Sequence, residues 1–279
     1  MASFFITGSS SGIGEAAAIH LDRLGHRVFA GVRKEADGDA LRRRASERLV
    51  PVICDVADEP SIEAAVRRID DETGDAGLDG LVNNAGVARA GPVEHLPVQE
   101  WRDQFEVNVF GQVAVTRAAL PLVRRAGGRI CFVGSVSGRL GSPLMGPYVG
   151  SKFAIEGIAQ CLRQELKPWS IAVSVVEPGP VKTPIWAKGR AYADAIEEQL
   201  GAAASEQYRD QIAAVRKGLD RNEKIGVSTE RTSAAIEHAL LDPRPKHRYL
   251  VGAPAKVGGV LARVLPDRAL DRVLGTGGP

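Results

Sequence analysis

A chain of 279 residues, 44% hydrophobic and 25% charged, is long enough for one large α/β core. A net charge of +2 gives no electrostatic case for nucleic acid, and no apolar run approaches the ~20 residues that cross a bilayer. Cys54, Cys131 and Cys161 are odd in number, far apart and set in apolar runs. They are expected to be buried, inert thiols in a cytoplasmic protein, forming neither a disulfide framework nor a metal site. The strand pattern starts at Ser3, so no leader peptide is expected ahead of it.

Strand-like apolar runs alternate with helix-length amphipathic segments. Phe4 to Thr7 reads as the first strand and Ile13 to Leu24 as a helix. Arg27–Val32, Leu49–Cys54, Leu78–Asn83, Arg129–Ser135 and Ile171–Pro178 follow as strands, with helices between them. Their continuous rather than alternating apolar character predicts strands covered on both faces, hence an α/β, doubly wound parallel sheet with right-handed crossovers. From Thr183 to Val227 the chain is rich in alanine and charge, which predicts one or two inserted helices. Tyr249-Leu250-Val251 then reads as the last strand, behind the proline-punctuated stretch Asp242 to Lys246. Residues 254–279 carry Val257, Val260, Leu261, Val264 and Leu265 at helical spacing, as a tail beyond a core of about seven strands.

Gly8, Gly12 and Gly14 fall between the first strand and its helix, in Thr-Gly-Ser-Ser-Ser-Gly-Ile-Gly. Missing side chains there let a backbone approach phosphates, and a helix N-terminus adds amide donors, so Ser10, Ser11 and Ile13 belong to the same candidate dinucleotide site. The spacing is Gly-x-x-x-Gly-x-Gly, not the commoner Gly-x-Gly-x-x-Gly. At the end of the second strand, where NAD sites carry an acid, stands Val32, followed by Arg33 and Lys34. A basic pair suits a 2′-phosphate, so NADP(H) is favoured over NAD(H).

Tyr148 and Lys152 are four residues apart, about one helical turn, which places a phenol and an ammonium on one face. Taken singly, each has an ordinary structural explanation in packing or solvation. Together with the glycine loop, Asp55-Val56, Asn83-Asn84-Ala85-Gly86, Asn108, Ser135 and Pro178-Gly179 in this order, the chain resembles the short-chain dehydrogenase/reductase family from Ser3 to about Pro184. Its overall texture is similar to hydroxysteroid and retinol dehydrogenases.

That resemblance implies a Rossmann-type fold over residues 1–279, with 183–227 as a substrate lid. It further implies that Asp55 and Val56 contact adenine, that Asn84, Ala85 and Gly86 line the cofactor, and that Pro178, Gly179, Val181 and Thr183 lie against nicotinamide. Asn108, Ser135, Tyr148 and Lys152 fall on the catalytic set. Tyr148 would exchange the proton, its pKa lowered by Lys152 and oxidised nicotinamide. Ser135 would hold the substrate oxygen, Lys152 would bind the ribose, and Asn108 would hold a water leading to solvent.

An apolar lid containing Pro184, Ile185, Trp186, Tyr192, Ile196, Leu200 and Tyr208, with Leu140, Leu144 and Met145 lining the same side, favours a hydrophobic alcohol, ketone or aldehyde. The same residues suit packing of the lid on its own body equally well. The alternative to an enzyme is a dinucleotide-sensing regulatory protein without turnover, although such proteins commonly lose the tyrosine or lysine that this chain keeps. A homodimer or homotetramer is expected from the family. The tail, with Lys256, Arg263, Arg268 and Arg272 beside its apolar stripe, suits internal packing or a subunit interface better than a membrane surface, because Asp267 and Asp271 dilute its positive face. His95, His238 and His247 have no carboxylate or cysteine partner at metal-ligand spacing and are expected to be surface or satisfied histidines, and no metal is expected.

Overall fold

The computed structural model describes residues 1–274 and, within them, every side chain except that of Leu200; residues 275–279 of the expected tail lie outside the described residues. The chain runs β1 (Ser3–Ile6), α1 (Gly12–Arg23), β2 (Arg27–Val32), α2 (Glu35–Arg42), β3 (Leu49–Ile53), α3 (Glu59–Thr73) and β4 (Gly80–Asn83). It continues through α4 (Val98–Phe105), α5 (Gly111–Ala126), β5 (Arg129–Val133), α6 (Gly146–Glu165) and β6 (Ala172–Pro178). Then come α7 (Ile185–Gln207), α8 (Arg209–Ile225), α9 (Thr229–Leu241), β7 (Arg248–Val251), α10 (Ala253–Val264) and α11 (Asp267–Leu274).

All seven strands form one parallel sheet in the order β3-β2-β1-β4-β5-β6-β7. The order reverses between β1 and β4, and such a reversal opens a crevice at the C-terminal strand ends. Successive strand residues face opposite sides, and both sides are buried. Phe5, Phe29, Leu81, Ile130 and Phe132 pack with Ile62, Ile69, Val115 and Ile155 from α3, α5 and α6. Phe4, Ile6, Val28, Val82 and Val133 pack with Ala17, Leu21, Ile236 and Leu240 from α1 and α9 on the other side. This two-sided burial is why the strands read as unbroken apolar runs. Each such phenylalanine supports the fold by about 3–5 kcal/mol on truncation to alanine.

Two strand ends differ from the sequence expectation by two residues, and the others by at most one. β5 stops at Val133 rather than Ser135, because the Ser135 hydroxyl accepts the Ser137 amide at 3.1 Å and starts a tight turn over Val136–Gly138. β4 starts at Gly80 rather than Leu78, since the Leu78 amide is taken by the Leu122 carbonyl and the Asp79 carboxylate by the Ser3 amide. The Thr183–Val227 insertion is two helices, α7 and α8, with a break at Gly201 (φ 79°). The tail is two helices separated at Pro266.

One side-chain expectation is overturned. Cys161 is exposed on α6, whereas Cys54 and Cys131 are buried with their thiols pushed up to about 12 by desolvation. His238 is a satisfied histidine, with Asp242 one turn on at 3.2 Å and the Tyr249 hydroxyl at 2.9 Å from its other ring nitrogen. No helix among the described residues is long and apolar enough to cross a membrane.

Candidate active site

The crevice between the ends of β1 and β4 is built by main-chain contacts. Thr7, the last residue before the glycine loop, accepts the amides of Asn84 and Ala85 on its hydroxyl at 3.0 and 3.1 Å. Asn84 returns the contact, donating its side-chain amide to the carbonyls of Thr7 (2.9 Å) and Gly8 (3.1 Å). Gly8 has φ +66°, and a Cβ there would lie 2.7 Å from Ala85 Cα. Only glycine fits that position on both counts. The Thr183 side chain lies where it would be 3.3 Å from a Cβ at Gly12, so the start of the lid sits against the glycine loop. Ser11 begins α1 without using its side chain as a cap, Ser10 is exposed, and Ile13 is half-buried. The result is a cradle free of side chains at a helix N-terminus, which fits a dinucleotide pyrophosphate.

The adenine side of the crevice follows from register. Val32 pairs with Ile53, and the Cys54 amide donates to the Val32 carbonyl at 2.9 Å, which sets Arg33 and Lys34 beside Asp55. Arg33 and Lys34 are exposed and make no ion pair among the described residues, an open basic pair at the strand end. Asp55 accepts the Ala57 amide at 3.1 Å, and Val56 is buried. Beyond the end of β6, the Gly179 amide donates to the Val251 carbonyl and the Val227 amide to the Pro180 carbonyl, while Trp186 donates its indole N–H to the Val181 carbonyl at 2.7 Å. These bonds fix Pro178, Gly179, Val181 and Thr183 at one end of the crevice. Gly86 is exposed at the end of the turn after β4.

Ser135, Tyr148 and Lys152 meet where β5 ends and α6 begins. Ser135 is buried at the head of its turn and Tyr148 is half-buried on the first turns of α6, with the Ser135 side chain near enough to the phenol to act on its proton affinity. Lys152 is 5% exposed; its ammonium donates to the Val133 carbonyl at 2.8 Å and lies 5.7 Å from the centre of the Tyr148 ring. Burial lowers the Lys152 pKa to about 8, opposed by the attraction of Glu156. Desolvation raises the Tyr148 pKa and the Ser135 side chain opposes it, while the Lys152 ammonium is directed at a carbonyl instead of the phenol.

Asn108 sits in a π-helical turn, Glu106–Phe110, that joins α4 to α5. Its side-chain oxygen accepts the Val87 amide at 2.8 Å, and its nitrogen donates to the Val87 carbonyl at 3.0 Å and to Ser151 at 3.2 Å. It reaches α6 at Ser151, not at Lys152, and its side-chain amide is engaged by the protein. Two residues missed by sequence reasoning flank it. Gln104 binds the Arg89 amide (2.7 Å) and the Val87 carbonyl (2.9 Å), and Gln112 donates to the Ala85 carbonyl (3.1 Å). Gln104, Asn108 and Gln112 are each 0% exposed. Three amides spaced by four in an otherwise amphipathic helix were the available signal.

A family model described as short chain dehydrogenase matches residues 3–193. The chain belongs to the short-chain dehydrogenase family. It is 34% identical to an NADPH-dependent 3-dehydrocapnine reductase of Ornithobacterium rhinotracheale over 96% of this chain and 94% of that one. It is 36% identical to 17-beta-hydroxysteroid dehydrogenase type 6 of Bos taurus, and 35% to retinol dehydrogenase 16 of Mus musculus, over 97% of this chain and 86% of each relative. Among solved structures, a short-chain dehydrogenase from Streptomyces avermitilis superposes with a TM-score of 0.78 at 27% identity, covering 98% of this chain and 95% of that one. One from Burkholderia cenocepacia in complex with NADP gives 0.75 at 25% identity, covering 99% and 98%. As a short-chain dehydrogenase, the chain is a nicotinamide-dependent oxidoreductase acting on CH–OH groups.

Proposed function

We propose that this short-chain dehydrogenase prefers NADP(H) and interconverts a hydrophobic alcohol with its ketone or aldehyde, with Tyr148 as the proton carrier. The observation that carries the reading is the buried Lys152 ammonium, held on the Val133 carbonyl at 2.8 Å and 5.7 Å from the Tyr148 ring, where β5 ends at the Ser135 turn. Gly8, Gly12 and Gly14 hold the pyrophosphate, Arg33 and Lys34 the 2′-phosphate, Asp55 the adenine, and Pro178 to Thr183 the nicotinamide. When bound, the nicotinamide supplies or takes up the hydride.

Ser135 orients the substrate oxygen and donates to the charge that develops on it. Tyr148 gives that oxygen a proton during reduction and accepts one during oxidation. Lys152 holds positive charge one turn below, and Asn108, with Gln104 and Gln112, fixes the segment from Ala85 to Arg89 that walls the site.

The hydrophobic substrate is supported by the wall between lid and body. Leu144, Pro92, Ala193, Ile196, Ile212 and Val215 border one apolar hollow there, and Leu144 lies in the segment linking Ser135 to Tyr148. The substrates in the relatives' names, a dehydrocapnine, hydroxysteroids and retinol, are of matching character. The same reading places the enzyme in the cytoplasm as a dimer or tetramer. Phe110 and Phe153, 56% and 46% exposed, are large apolar residues suited to a subunit contact. A membrane contact through α10 and α11 has weaker support, since Asp267 and Asp271 interrupt the basic face.

The test is NADPH oxidation with a panel of apolar ketones and aldehydes, in the wild type and in Tyr148→Phe. Loss of about 10²–10⁴-fold in kcat with unchanged dinucleotide affinity is expected. Near-wild-type turnover by Tyr148→Phe would remove the assignment.

A further inference from the structure

β6 ends in a charged residue that an apolar central strand has no evident reason to carry. Glu177 is 0% exposed, immediately before Pro178 and Gly179. Its carboxylate lies 2.6 Å from Arg139 of the Ser135 turn and 3.1 Å from Arg248 of β7. Arg248 also reaches Glu156 at 2.9 Å, donating through its Nε at 3.0 Å. Glu156 is 8% exposed and stands on α6 one turn beyond Lys152. Two carboxylates and two guanidiniums therefore connect every segment of the catalytic centre: the Ser135 turn, the Tyr148–Lys152 helix, and the strand end leading into Gly179.

The packing around this cluster leaves little freedom. A Cβ at Gly138 would lie 3.0 Å from the Lys152 carbonyl oxygen and 3.2 Å from Glu156 Cγ. The turn carrying Ser135 and Arg139 is thus pressed onto the helix between Lys152 and Glu156. Buried ions in such a cluster are an expensive way to add stability, since apolar residues of similar volume do as well or better. Their placement at the junction of three catalytic segments requires a different account.

We infer that Glu156, Glu177, Arg139 and Arg248 form a positioning unit in which Glu156 is the counter-charge that keeps Lys152 an ammonium, while the arginines tie that charge to the Ser135 turn and the Pro178–Gly179 strand end. The inference rests on the reading of Tyr148 and Lys152 as the reacting pair. The titratable and charged groups around this face come from four elements. Tyr148 and Glu156 belong to α6, Glu177 to β6, Arg139 to the turn after β5, and Arg248 to β7. Among them, Glu156 is the group that raises the lysine's proton affinity against desolvation.

Two measurements on the full chain test it. In protein carrying ¹³C-labelled lysine, the Lys152 resonance, assigned by its loss in Lys152→Met, is titrated without substrate. Glu156→Gln is expected to lower its pKa by roughly one unit, and Glu156→Asp, which keeps the charge, to hold it within about 0.3 unit of wild type. The alkaline limb of kcat/KM is expected to move to lower pH in Glu156→Gln by a similar amount, with NADPH affinity within about twofold. An unshifted lysine in folded Glu156→Gln, or equal shifts in the Gln and Asp variants, would overturn the positioning role. If Glu156→Gln does not fold, Arg248→Met is titrated in its place. Freed from its guanidinium, Glu156 should then raise the lysine pKa, and a fall or no change counts against the proposal. Absence of turnover in the wild type would refute the proposed function instead and leave the lysine titration readable.

Discussion

Asn108 holds both main-chain groups of Val87, accepting its amide at 2.8 Å and donating to its carbonyl at 3.0 Å. One side chain thus closes a strand-like pairing with a loop that has no strand beside it. Removing it leaves the Val87 amide without its partner, whereas the Val87 carbonyl keeps Gln104 at 2.9 Å and the Ser151 hydroxyl keeps the Tyr148 carbonyl at 2.7 Å. One buried amide left unpaired costs about 1–3 kcal/mol. Asn108→Ala is therefore expected to lose about that much in urea denaturation. Asn108→Asp keeps the acceptor but lacks the donor, and should be destabilised at neutral pH and recover as its carboxyl protonates. An Asp variant equally stable at pH 7 and pH 4 would show that the donor contact is unimportant.

The glycine cradle separates a conformational cost from a steric one. Gly8 and Gly25 both have positive φ, +66° and +87°, but a Cβ at Gly25 meets nothing within 4 Å. Gly25→Ala should cost about 1–2 kcal/mol from the left-handed backbone alone and leave dinucleotide binding intact. Gly8→Ala carries the same strain plus a clash with the Ala85 backbone. It should destabilise by about 1–3 kcal/mol more and weaken dinucleotide affinity at least tenfold. Calorimetry and fluorescence titration of the two variants decide this, and equal effects on binding would remove Gly8 from the cofactor cradle.

Arg33 and Lys34 are exposed at the end of β2 without carboxylate partners among the described residues. A charge-assisted contact to phosphate is worth about 1.5–3 kcal/mol, roughly a 10- to 150-fold change in affinity. Arg33→Asp should lose that factor for NADPH and gain affinity for NADH, because a carboxylate there suits ribose hydroxyls and repels a 2′-phosphate. Titration with both dinucleotides gives the ratio. An unchanged ratio in Arg33→Asp and in the double variant with Lys34→Ala would move the 2′-phosphate contact elsewhere.

The parts legible in the sequence were those fixed by short spacing. Strand and helix alternation is imposed locally, so β2 was read to its residue and the doubly wound order followed from chirality. Tyr148 and Lys152 share a face because α6 dictates it. What stayed illegible depends on long-range placement. That Asn108 would meet Val87, and Thr183 would meet Gly12, is decided by how loops return across the sheet. The Tyr148 pKa direction depended on how deeply the phenol is desolvated and on where the Lys152 ammonium points, and neither is encoded in a spacing of four. Glu177 was visible as a charge in an apolar strand, yet its partners Arg139 and Arg248 lie in separate elements joined only by the fold.

Lys152 ties stability to pH in a direction opposite to its use in the site. Burial lowers its pKa from 10.5 to about 8, so between those values the unfolded chain holds a proton that the folded chain has released. Stability then rises with pH across that window, by up to about 1.4 kcal/mol per unit from this group. Below pH 8 both states are protonated and the full cost of burying the ammonium is present. Above 10.5 neither is charged and the cost is gone. Lys152→Met lacks the buried charge, so its stability should be flat where the wild type climbs. At pH 7 its loss of the Val133 hydrogen bond offsets part of the gain, which makes the slope a cleaner readout than the absolute difference. The variant should be catalytically dead and no less stable than wild type at neutral pH, as expected where a functional charge is held at the expense of the fold. Denaturation curves at pH 7, 8, 9 and 10 suffice. Parallel curves for the two proteins would mean that the lysine keeps its ordinary proton affinity inside the folded chain.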